Sequence, residues 1–72
     1  MIRYYKKATW IYKFNFEEGT YYGIHKHYLY EAFGTLPSTM NSHDSVIFCH
    51  YTEADKSEFD KYYQIHLYKN EL

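Results

Sequence analysis

Histidine and cysteine have the widest chemical repertoire of any side chains, and this 72-residue chain spaces several of them suggestively. His25 and His27 form an H-x-H pair, and on a strand residues i and i+2 point the same way. Such a pair can supply two corners of a tetrahedral metal site, with Cys49, His50, or His43 and Asp44 completing it. His43, Asp44, Ser45, Cys49 and His50 also cluster along the chain, the ingredients of a nucleophile, a base and an orienting group. Several stronger signatures are missing: CxxC, HExxH, a nucleophile elbow, a Gly-rich phosphate loop and paired carboxylates. A domain this small rarely encloses a pocket of catalytic volume. The expectation is therefore no catalytic residue, no metal and no cofactor, with Cys49 packing as a small apolar side chain. A zinc-binding domain, or a small ribonuclease-like toxin using the basic arm and a histidine, stands as an alternative.

A second pattern interleaves cations with rings. Arg3, Tyr4, Tyr5, Lys6, Lys7, Trp10, Tyr12 and Lys13 resemble a single-strand nucleic-acid platform, in which rings stack on bases and cations follow phosphates. The competing reading buries Trp10 and Tyr12 and leaves the lysines solvated. A formal net charge of -1 argues against a general nucleic-acid binder. Charge is nonetheless uneven: the first sixteen residues carry cations without an acid, whereas Glu53, Asp55, Glu58 and Asp60 surround only Lys56.

Tyrosine is the third signal. The chain holds 11 Tyr, 5 Phe and 1 Trp, more rings than so small a core can absorb. Buried tyrosine hydroxyls need hydrogen-bond partners, so many rings should lie half covered with the hydroxyl wet. Rigid amphipathic rings are what binding surfaces use, although AT-rich coding would also raise Tyr, Lys, Phe and Ile.

The element positioning most of these residues is a β-hairpin over Ala8 to Tyr28. Trp10, Tyr12, Phe14 and Phe16 alternate with Ile11, Lys13 and Asn15, the period of a strand burying one face. Glu17, Glu18 and Gly19 read as a three-residue loop whose glycine takes positive φ. That loop sets Phe14 opposite Tyr22, Tyr12 opposite Ile24 and Ala8 opposite Tyr28. A two-residue loop, with Tyr12 opposite His25 and Trp10 opposite His27, ranks second. Residues 1–7 lead into the first strand or fray, and Lys6 with Lys7 suits an exposed edge.

Further along, Tyr28 to Phe33 reads as a short helix ended by Gly34, with Pro37 beyond. Gly34 to Ser45 has loop chemistry throughout and is the best candidate for a recognition loop. Val46 to Tyr51, VIFCHY, is an apolar run expected to form a central strand covered on both faces. Thr52 with Asp55 resembles a capping box opening a helix over Glu53 to about Lys61. Phe59, Tyr62, Tyr63, His66 and Leu67 would also fit a continuing helical stripe, but YYQIHLY is rich in β-formers, which favours a final strand over Tyr62 to Lys69.

These elements give an α+β fold, a single domain over 1–72 with a four-stranded, mostly antiparallel sheet and one or two short helices. Its expected core is Trp10, Tyr12, Phe14, Tyr22, Ile24, Tyr28, Val46, Phe48, Phe59, Ile65 and Leu67. With Met first, no signal-peptide pattern, no apolar run of spanning length and one cysteine, the chain reads as a complete, reduced, cytoplasmic protein without membrane contact. By analogy with small phage and mobile-element proteins of similar composition, the expected role is a non-enzymatic protein-binding module. It would bind and inhibit a host protein such as a nuclease or defence complex, with a homodimer as an alternative assembly and single-stranded nucleic acid as the alternative partner. The binding surface is expected at Tyr4, Tyr5, Tyr21, Tyr30, Tyr62 and Tyr68, beside Lys6 and Lys7 and the loop residues His43 and Asp44.

Overall fold

The computed structural model describes the backbone of residues 1–71 and side chains as far as Lys69. Its strands are β1 (Ile2–Lys7), β2 (Trp10–Asn15), β3 (Thr20–His25), β4 (Glu31–Thr35) and β5 (Thr52–Ala54). They form one five-stranded sheet in the order β4-β3-β2-β1-β5, with every pairing antiparallel. A 3-10 turn over Ser38–Met40 and helix α1 (His43–Phe48) lie on one face, and helix α2 (Lys56–Glu71) lies on the other. The α+β class is as expected, with five strands rather than four.

The alternation of WIYKFN does build β2, and Gly19 does adopt positive φ, at 67°. The register differs by one residue: Phe14 pairs with Tyr21, Tyr12 with Gly23, Ile11 with Ile24 and Trp10 with His25. The reason is a four-residue turn over 16–19, in which the Asn15 side-chain oxygen accepts the Glu18 N–H at 3.0 Å. Phe16 no longer pairs with β3, although its N–H still donates to the Met1 carbonyl at 3.0 Å, and its ring packs edge-on against Phe14 and Tyr5. A one-residue shift exchanges faces. Ile24 therefore joins Ile11 beneath α2, while the aromatic side of β2 faces α1. β1 is no frayed edge, being flanked by β2 and β5.

The expected helix at Tyr28 to Phe33 is instead a turn followed by β4. His25 Nδ1 accepts the backbone N–H groups of His27 and Tyr28 at 3.0 and 3.2 Å, which closes the turn and returns the chain to the sheet. VIFCHY is not a strand. Ser42 caps α1 by accepting the Ser45 N–H at 3.3 Å, and the helix buries Val46 while leaving Phe48 86% exposed. His50 then takes φ 70° and ends the segment. The supposed loop from Gly34 to Ser45 is thus partly ordered by β4, the 3-10 turn and the start of α1.

Thr52 to Ala54 pairs with β1 rather than opening a helix. α2 begins after Asp55, whose carbonyl accepts from Glu58 and Phe59 at 3.1 Å. It continues for 16 residues through the stretch expected to be a strand, because Phe59, Tyr62, Tyr63 and His66 share the stripe that meets the sheet. Of the expected core, Phe14, Ile24, Val46 and Phe59 are buried, and Trp10, Tyr12 and Tyr22 are half-buried. Tyr28, Phe48, Ile65 and Leu67 are exposed, while Tyr5, Ile11, Leu36 and His66 are buried in their place. Among the described residues no helix is long and apolar enough to cross a membrane.

Candidate functional site

Two strand glycines shape the α1 face. Gly23 stands directly opposite Tyr12, and a Cβ there would lie 2.5 Å from the Tyr12 ring; the ring occupies the space a side chain would need. Tyr21 lies across Gly34 in the same manner, 3.2 Å from where that Cβ would be. Tyr51, delivered by the positive-φ residue His50, completes the group with its ring centroid 5.6 Å from both Tyr12 and Phe14. Together with Leu36, Pro37 and Met40 these rings wall a groove of about 190 Å³.

The groove continues into an aromatic strip. Trp10 lies 6.2 Å from Tyr12 and nearly parallel to it, and meets His25 edge-on at 5.4 Å. His25 in turn contacts Tyr28 at 5.0 Å and Tyr30 at 5.9 Å. These last two tyrosines are 61% and 62% exposed, with exposed Leu29 between them in the turn. Rings thus run without interruption from Tyr51 to Tyr30.

The polar atoms of the strip divide into used and unused. His25 Nδ1 holds the turn, and its Nε2 lies 2.8 Å from Thr9 Oγ1, so both ring nitrogens serve the fold. By contrast the hydroxyls of Tyr12, Tyr21 and Tyr51 have no hydrogen-bond partner among the described residues. Burial, followed by the neighbouring tyrosine hydroxyls, pushes the Tyr12 hydroxyl above its ordinary range. Burial likewise raises Tyr51, with Cys49 and Tyr21 adding to the effect. Both therefore remain protonated donors at neutral pH.

Of the expected surface residues, Tyr21, Tyr30 and Lys7 belong to this strip, the Lys7 Nζ lying 4.6 Å above the Tyr51 ring and bonding the Cys49 carbonyl at 3.1 Å. Tyr4 and Lys6 are on the opposite face, Tyr4 against Phe59 at 5.3 Å and Lys6 3.4 Å from Glu58. Tyr5 is completely buried, contrary to its expected exposure, because its hydroxyl is held by His43 Nδ1 at 2.8 Å. His43 thereby ties α1 to the sheet, and Asp44 is exposed in the first turn of α1. Tyr62 is half-buried with Lys26 and Lys61 over its ring, and Tyr68 is exposed on α2. Sequence reasoning placed Trp10, Tyr12 and Tyr28 in the core and overlooked Tyr51; the glycines inside two strands were the signal that rings would lie down there.

The basic arm is dispersed by strand alternation. Arg3 bonds Glu53 at 2.6 Å and keeps that carboxyl below the usual carboxylate range, Lys6 pairs with Glu58, and Lys13 is on the α2 face beside Tyr4 and Tyr22. A second cleft of about 350 Å³ on that face is lined by Tyr4, Lys13, Tyr22, Lys56, Phe59, Asp60 and Tyr63. Three of its polar groups serve the fold: the Tyr22 hydroxyl donates to Glu31 at 2.7 Å, and Lys56 donates to Asp60 at 2.7 Å. Among the described residues no three His, Cys, Asp or Glu side chains gather as a metal site would require. No family model matches the chain, and no curated protein or solved structure is significantly similar to it.

Proposed function

We propose that the chain is a non-enzymatic protein-binding module that docks through the aromatic strip of the α1 face. The observation that carries this reading is the unbroken run of rings from Tyr51 through Tyr12, Trp10 and His25 to Tyr28 and Tyr30, edged by tyrosine hydroxyls free to donate. Tyr and Trp are the anchors that interface centres favour, offering large contact area and few rotors to freeze. In this reading the module acts in the cytoplasm by occupying a surface of a host protein, as a small phage or mobile-element inhibitor of a nuclease or defence complex would. Single-stranded nucleic acid is a weaker fit, because the cations that should follow phosphates are paired with acids or divided between two faces.

Affinity capture from the host cell, followed by titration of the purified partner, tests the proposal. Trp10→Ala and Tyr30→Ala should each weaken binding by about 2 kcal/mol or more, whereas Tyr68→Ala, on α2, should leave it unchanged. Equal losses at all three positions, or binding of a single-stranded oligonucleotide in place of a protein, would reject it.

A further inference from the structure

The two edges of the sheet are unlike. β5 is three residues long, and its Glu53 is tied to Arg3. β4 runs for five residues, EAFGT, with neither lysine nor proline to discourage strand addition, and Phe33 on it is 72% exposed.

The ladder between β3 and β4 shows which backbone groups are free. His25 N–H donates to the Tyr30 carbonyl and Leu36 N–H to the Gly19 carbonyl, so residues 30, 32, 34 and 36 turn their backbone groups toward β3. Glu31, Phe33 and Thr35 consequently point their N–H and C=O groups outward from the edge. Their side chains share the α2 face with Tyr22, the cross-strand partner of Phe33.

The geometry points to β4 as a homodimer edge, on which a second copy of this chain adds its own β4 antiparallel about a two-fold axis through Phe33. In that register Phe33 faces the partner's Phe33, and Glu31 faces Thr35 of the partner subunit. Every outward-facing residue then meets another outward-facing residue, so each free N–H finds a free carbonyl. No like charges are opposed, and the exposed Phe33 ring is covered by its counterpart. Centring the axis on Glu31 would instead set two carboxylates against each other. On the opposite face Ala32 meets Gly34 of the partner subunit, and Tyr21, which lies across Gly34, brings the edge of the aromatic groove to the axis. This pairing does not depend on the proposed host partner. One strand pair is a small interface, which sets the expected dissociation constant at about 100 µM.

Sedimentation of the purified chain from about 10 µM to about 1 mM should show a monomer–dimer equilibrium in that range. Phe33→Lys puts two charges together at the axis and should raise the dissociation constant at least about tenfold, while the melting curve of the dilute monomer stays unchanged. Register is tested by cross-linking in a Cys49→Ser background. Paired Cα atoms at the axis lie about 5.5 Å apart, within disulfide reach, so Phe33→Cys should form a covalent dimer on mild oxidation. Thr35→Cys alone should not, but mixed with Glu31→Cys it should. A chain that stays monomeric at the highest concentration, a dimer indifferent to Phe33→Lys, or cross-linking by Thr35→Cys alone would each overturn the assignment. If Phe33→Lys fails to fold, the cross-linking pattern decides.

Discussion

The two faces of the sheet are closed to different degrees. Beneath α2, Ile11, Ile24 and Phe59 form a packed layer, and three polar side chains around them are paired, Tyr22 with Glu31, Lys6 with Glu58 and Lys56 with Asp60, while the buried His66 Nδ1 has no partner among the described residues. Beneath α1 the cover is only a 3-10 turn and a six-residue helix, which buries Tyr5, Phe14, Leu36 and Val46 and then ends. Tyr12, Tyr21 and Tyr51 are left at its rim with hydroxyls that have no partner among the described residues. Under the proposed function, the long helix serves stability and the short cover serves recognition. The comparison breaks most visibly at Phe59, which packs against Tyr4, Tyr22 and Tyr63 and is the main apolar anchor of α2. Phe59→Ala should cost about 3–5 kcal/mol by denaturant titration, much of what a domain of this size possesses. A loss below about 1 kcal/mol would mean that α2 does not hold the sheet.

Alkaline pH probes both faces at once. Tyr5, Tyr12, Tyr22 and Tyr51 are all raised above their ordinary value near 10, in each case first by burial. The folded chain therefore keeps protons that the unfolded chain releases. Stability from these groups is complete below about pH 10 and is lost as pH climbs toward their raised folded values. Tyrosinate absorbance of the native protein should lag that of the protein in denaturant. Tyr22 should be the last to titrate, since the Glu31 carboxylate adds to its burial, and Tyr22→Phe should remove that late phase. Coincident native and denatured titrations would mean that neither face is closed to water.

What could be read from the sequence follows the same division. The hairpin, the positive φ of Gly19 and the burial of Phe14 and Ile24 were legible because strand alternation and turn chemistry are local. The register was not, because it rests on a four-residue turn held by the Asn15 side chain, and because β2 is covered on both sides, Ile11 under α2 and Tyr12 with Phe14 under α1, so burial does not betray a one-residue slip. α1 and α2 were misjudged where apolar runs and β-forming residues overrode weaker cues, the Ser42 cap in one and the stripe through His66 in the other. The strip was legible only in part: Tyr21 and Tyr30 are expected on the surface, but Trp10, Tyr12 and Tyr28 are assigned to a core that lies elsewhere. Tyr5, expected on the surface, is the central buried ring of the α1 face.

Tyr5 and Tyr51 supply the finest test of the comparison, since both are tyrosines of the α1 face whose hydroxyls meet different surroundings, one bonded and buried and the other at the rim. Tyr5→Phe removes the 2.8 Å bond to His43 Nδ1 and leaves that half-buried nitrogen facing an apolar ring edge, a loss of about 1–2 kcal/mol with α1 loosened from the sheet. Tyr51→Phe and Tyr12→Phe delete hydroxyls that have no partner among the described residues, so stability should stay within about 0.5 kcal/mol of the parent. A native rim should hold its shape in both, because the rings and their glycine floor are unchanged. If either rim substitution costs as much as Tyr5→Phe, its hydroxyl is bonded within the protein in solution. The strip would then belong to the closed structure of this face, and the division of labour between the two faces would fail at the place where recognition is assigned.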